Sequence, residues 1–101
     1  MVIRMDASPS GVTIWLSGEL DHHAARSLRE QIDGAVDRTG AKRLRLDFEG
    51  VTFMDSSGIA VAMRARQRMR ELGGTARLVR VPAQPERVFR AAGIGKWMEI
   101  S

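Results

Sequence analysis

Cysteine is absent from the 101 residues, which excludes disulfide bonds and thiolate metal sites and is compatible with a reducing compartment. No apolar run has the length of a secretory core or a membrane span. Met1 to Asp6 instead alternates apolar and polar residues and carries Arg4 and Asp6, so the expected location is cytoplasmic. The Gly-x-Ser-x-Gly turn of serine hydrolases is missing, as is the Gly-x-x-x-x-Gly-Lys loop of nucleotide-hydrolysing enzymes. Histidine occurs only as the pair His22–His23. Adjacent helical residues point about 100° apart, and no further His or Cys completes a ligand set beside Asp21, so neither metal nor cofactor is expected. Acidic residues are outnumbered, 12 against 16 basic, for a net charge of +4. All but Lys42 and Lys96 of the cations are arginine. Such a balance invites a nucleic-acid reading, but no like-charge tail, low-complexity segment, linker or repeat accompanies it. A charge of this size serves solubility.

What is present describes one α/β domain over residues 1–101. A 44% hydrophobic chain of this length buries roughly 60 to 70% of its unfolded surface. Val2 to Asp6 and Val12 to Ser17 alternate at period two around the turn-forming Ser8-Pro-Ser-Gly11, which predicts a hairpin. Ala24, Ala25, Leu28, Ile32, Ala35 and Val36 then recur at helical spacing, with Asp21 placed as N-cap. Arg43 to Phe48 is the next strand. Ile59, Ala62, Ala65, Met69 and Leu72 predict a second helix beginning near Ile59 and closed by Gly73-Gly74. Its arginines divide between two flanks, Arg64 with Arg68 and Arg66 with Arg70, which disfavours a helix lying along a phosphate backbone. Ala76 to Val81 predicts a strand, Pro85 the first residue of a third helix ended by Gly93, and Trp97 to Ile100 a last strand. This alternation implies a mixed sheet, an N-terminal hairpin followed by strands joined through right-handed helical crossovers.

The stretch Val51-Thr-Phe-Met-Asp-Ser-Ser-Gly58 lies where strand pattern gives way to helix. Asp55, Ser56 and Ser57 therefore fall at a helix N-terminus, with its unpaired N–H groups and positive dipole end. One of them serves as cap, and losing a capping Ser57 would cost about 1 kcal/mol. At least one hydroxyl remains free. Phosphorylated, it would carry nearly two negative charges that free N–H groups and the dipole tolerate without unfolding the helix.

Gly18-Glu-Leu-Asp-His-His23, the run from Val51 to Ile59, the spacing between them, and Ala91-Ala-Gly-Ile94 closely resemble the anti-sigma factor antagonists of the STAS domain family, the sporulation type above all. The resemblance spans essentially the whole chain. It implies a non-enzymatic switch that binds an anti-sigma factor with serine kinase activity and releases a sigma factor. That kinase would then inactivate the antagonist by phosphorylating the serine after the aspartate, and a phosphatase would reset it. Carried over, the acceptor is Ser56, and Asp21, Asp55, Ser56, Ser57 and Gly58 form the partner surface. Two other readings compete, a constitutive module whose serines only cap, and an arginine-rich nucleic-acid binder. The resemblance also implies a further C-terminal helix, which the sequence does not reach.

Overall fold

The computed structural model describes every residue from Met1 to Ser101. Its elements are strands β1 (Val2–Ser8) and β2 (Gly11–Leu20), helix α1 (His22–Thr39), β3 (Arg43–Met54), α2 (Ser57–Glu71), β4 (Thr75–Val79), α3 (Ala83–Ala91), a single 3-10 turn (Ile94–Lys96) and β5 (Glu99–Ile100). The five strands lie side by side in chain order. β1 pairs antiparallel with β2, and every later pairing is parallel. This is the mixed sheet and N-terminal hairpin that the alternation predicts.

Because the parallel strands advance in one direction, right-handed crossovers bring the helices to one face of the sheet. The core forms there from Val12, Ile14 and Leu16 of β2, Leu44, Leu46 and Phe48 of β3, Leu28 and Ile32 of α1, and Ala62, Ala65 and Met69 of α2. Phe89 of α3 meets Phe48 edge to face, ring centroids 5.4 Å apart. The opposite face carries cross-strand rows of mostly polar and aromatic residues, Arg4–Trp15–Asp47, ending on Val79, and Asp6–Thr13–Arg45–Arg77–Glu99. Asp47, only 5% exposed, is roofed by Arg80, which bonds it at 2.7 Å. No helix is long and apolar enough to cross a membrane.

Several boundaries differ from those the sequence predicts. β3 does not stop at Phe48 but continues to Met54, because its register with β2 shifts between Trp15 and Ser17 and lets pairing resume at Gly50. A Cβ on Gly50 would stand 2.7 Å from that of Ser17, so only glycine permits the approach. α2 begins at Ser57 rather than near Ile59, and Ser56 already has helical dihedrals, φ −64 and ψ −14. β4 ends at Val79, where Arg80 takes the left-handed conformation at φ 52. Pro82, not Pro85, stands at the start of α3; Pro85 lies one turn in, still where a missing N–H is tolerated. Trp97 is outside the last strand and 55% exposed.

Candidate functional site

β2 and β3 end together, Leu20 paired with Met54, and each strand feeds a helix. Asp21 follows Leu20 and Asp55 follows Met54, so the two carboxylates stand at adjacent helix starts on one end of the sheet. Asp55 N–H donates to the Leu20 carbonyl at 3.2 Å, which ties the two segments together. Asp21 caps α1 as its sequence position predicts, accepting from Ala24 N–H at 2.8 Å. That bond, with a smaller contribution from His23, holds its carboxyl below the ordinary aspartate range.

At α2 the geometry chooses among the three capping candidates. Asp55 Oδ1 accepts from Ser57 N–H at 2.8 Å, while Ser56 at the cap position makes no side-chain cap bond. Ser57 therefore does not cap, contrary to the expectation for its loss, and neither serine hydroxyl is spent on the helix. Ser56 is exposed and Ser57 half-buried. Gly58 N–H donates to the Asp55 carbonyl and Ile59 N–H to that of Ser56. A phosphate on Ser56 would thus meet the helix dipole, but the Ser57, Gly58 and Ile59 N–H groups are already engaged, and Asp55 is an anionic neighbour.

Gly58 is placed differently from the partner-surface expectation. It is buried, and a Cβ there would overlap the Met54 side chain. Its bareness lets the first turn of α2 settle on the end of β3 and leaves Ser56 outermost. Asp21, Asp55, Ser56 and Ser57 are brought together; Gly58 lies beneath them.

Two residues here escape a reading by motif. Phe53 is 47% exposed and pairs with Glu19, each two residues before the aspartate of its own strand end, Asp55 and Asp21. Extending the strand alternation past Phe48 would have placed it opposite the buried Met54. Gln84 of α3 holds both backbone polar groups of Met54, accepting from its N–H at 2.9 Å and donating to its carbonyl at 2.8 Å. No local pattern announces a bond across thirty residues. Glu19, Asp21 and Asp55 are in no ion pair, so this end of a basic chain offers carboxylates, one aromatic ring and a free hydroxyl.

The arginines of α2 are largely occupied within the fold. Arg64 grips Asp33 of α1 through Nε at 3.0 Å and a second nitrogen at 2.9 Å, and Arg68 pairs with Asp37. Arg66 lies over the Trp97 ring and donates to its carbonyl. The two flanks thus join α2 to α1 on one side and to the chain before β5 on the other.

The sequence profile of the STAS domain matches residues 3–101. The chain belongs to the STAS family. This STAS domain is 33% identical over 87 residues to an anti-sigma F factor antagonist of Lysinibacillus sphaericus, across 86% of this chain and 74% of that one. Its fold superposes on the unphosphorylated anti-sigma factor antagonist SpoIIAA with a TM-score of 0.86 at 29% identity, covering 99% of this chain and 88% of the other. The phosphorylated form of the Bacillus protein SpoIIAA superposes with a TM-score of 0.76, also at 29% identity, over 99% and 91% of the two chains.

Proposed function

We propose that this STAS domain is an anti-sigma factor antagonist whose unphosphorylated form binds an anti-sigma factor with serine kinase activity, releasing a sigma factor. Phosphorylation of Ser56 by that kinase ends the contact. In the transfer, Ser56 Oγ forms a bond to the γ-phosphorus of ATP brought by the kinase with magnesium. The bond to the leaving ADP breaks, and the hydroxyl proton passes to the kinase or solvent. A phosphoserine phosphatase restores the hydroxyl.

The observation that carries this reading is the division of labour at α2. Asp55 caps the helix, which leaves the exposed Ser56 hydroxyl uncommitted on a rigid strand-to-helix junction. Similarity to antagonists named for anti-sigma F factor, and to structures of SpoIIAA in its unphosphorylated and phosphorylated forms, supports the same assignment. A module in which the serines serve only as caps is disfavoured by the same bond.

The surroundings suit a partner that presents cations and an apolar pocket. Glu19, Asp21 and Asp55 would meet the cations, and the half-exposed Phe53 ring would fill the pocket at the margin of the site. Those cations are matched one for one by Glu19, Asp21 and Asp55, so a phosphate added at Ser56, with nearly two further negative charges next to Asp55, is buried on docking with no counter-charge of its own.

Intact-mass measurement after incubation with the anti-sigma factor kinase and MgATP tests the proposal. One added phosphate, mapped to Ser56 and removed by Ser56→Ala, is the expected result. A phosphate confined to Ser57, or none, overturns it.

A further inference from the structure

β3 is flanked by β2 on one side to its last residue, but β4 stops at Val79, opposite Asp47. The far side of Met54 therefore has no strand partner. Its N–H and carbonyl are nonetheless both satisfied, by Oε1 and Nε2 of Gln84 at 2.9 and 2.8 Å. A side-chain amide presents one acceptor and two donors in a plane, so it reproduces the pair of bonds that a neighbouring strand would offer. Met54 immediately precedes Asp55 and Ser56.

The geometry points to Gln84 as a positioning residue for Ser56. By clamping Met54, it makes α3 the second wall of the acceptor segment, opposite the bond from Asp55 N–H to Leu20 on the β2 side. This role rests on the reading of Ser56 as phosphoacceptor. Phosphoryl transfer depends on an in-line approach, and a displacement near 1 Å in the acceptor can lower the rate by about 100-fold. Both side-chain hydrogen bonds of Gln84 go to Met54 and none to Ser56, so it acts through Met54.

Gln84→Met and Gln84→Ala separate this role from simple packing, because methionine keeps the length and bulk of glutamine and removes both hydrogen bonds. The two variants and the wild type are compared for steady-state phosphorylation by the anti-sigma factor kinase, and for native-state hydrogen exchange at individual amides. Expected for both variants is a fall in kcat of about tenfold with KM within about threefold. The Met54 amide should exchange about tenfold faster, while Ile14 and Leu46 in the sheet centre exchange as in the wild type.

Wild-type kcat in the variants overturns the proposal. So does recovery of kcat in Gln84→Met alone, which would assign the effect to packing, or faster exchange at Ile14 and Leu46 together with Met54, which would assign it to global stability. Unchanged Met54 exchange beside normal wild-type phosphorylation removes the clamp but keeps Ser56 as acceptor. Failure of the wild type to accept phosphate at Ser56 overturns the functional reading and this role with it.

Discussion

Asp55 Oδ1 lies 2.8 Å from the backbone nitrogen of Ser57, and this single bond separates the helix-capping duty from the serine hydroxyls. The carboxylate stabilises α2 while the adjacent Ser56 side chain faces outward. Truncation should therefore have unequal consequences at these two positions. Asp55→Ala is expected to lose about 1 kcal/mol, a fall in Tm of roughly 4 to 8 °C for a domain of this size. Ser57→Ala should stay within about 0.5 kcal/mol of the wild type. Thermal melting of the two variants checks this, and a larger loss in Ser57→Ala than in Asp55→Ala would contradict the cap assignment.

Phosphorylation of Ser56 should change binding and leave the fold intact. Attraction to the α2 dipole and repulsion from Asp55 oppose one another at an exposed position, so the modified domain should melt within a few degrees of the unmodified one. In the complex, an uncompensated buried charge costs about 2 to 5 kcal/mol, or roughly 30-fold to several thousandfold in affinity. Ser56→Asp should lose part of this. Circular dichroism of both forms, set beside their affinity for the anti-sigma factor, distinguishes a surface switch from a conformational one; lost helix in the phosphorylated domain would indicate the latter.

Asp21 contributes a pH dependence of known sign. The Ala24 N–H bond lowers its pKa in the folded state, so the folded protein binds fewer protons there than the unfolded chain. The resulting stability is fully present above the unfolded aspartate pKa, about 3.9, and is lost as pH falls through the lower folded value. Asn at this position keeps a capping oxygen without the charge. Denaturant titrations of wild type and Asp21→Asn should differ at pH 7 in favour of the wild type, and the gap should narrow below about pH 4. A gap independent of pH would assign the difference to packing.

Gly58→Ala tests the seat beneath Ser56. Its Cβ would overlap Met54, a buried side chain able to move only at the expense of the surrounding core. A loss of about 1 to 3 kcal/mol is expected, together with slower phosphorylation as the first turn of α2 lifts from β3. Wild-type stability and kinetics in this variant would show that Met54 yields freely.

The grip of Arg64 and Arg68 on α1 predicts both a structural and a binding result. Arg64→Ala should change thermal stability little, because the pair with Asp33 is part exposed and solvent screens it. Duplex DNA should bind only weakly at physiological salt, since these guanidinium groups already have carboxylate partners. A salt titration of DNA affinity checks this; tight and sequence-selective binding near 0.15 M salt would restore the nucleic-acid reading.

Much of this architecture is written in local order. Alternation in Val12–Ser17, the helical spacing of Leu28, Ile32 and Val36, the capping place of Asp21 and the glycine stop at Gly73 each depend on a few neighbouring residues. The chain needs no distant partner to express them. The strand-to-helix setting of Asp55-Ser56-Ser57 was legible for the same reason. What waited for the tertiary structure was every choice between local equals. β3 extends to Met54 because β2 accepts a shifted register at Gly50, and Asp55 rather than a serine caps α2 because β2 holds its backbone in place. Arg64 finds Asp33 and Gln84 finds Met54 across about thirty residues of chain. Those bonds depend on which side chains the crossovers bring within 3 Å of one another, a distance that periodicity along one segment does not encode.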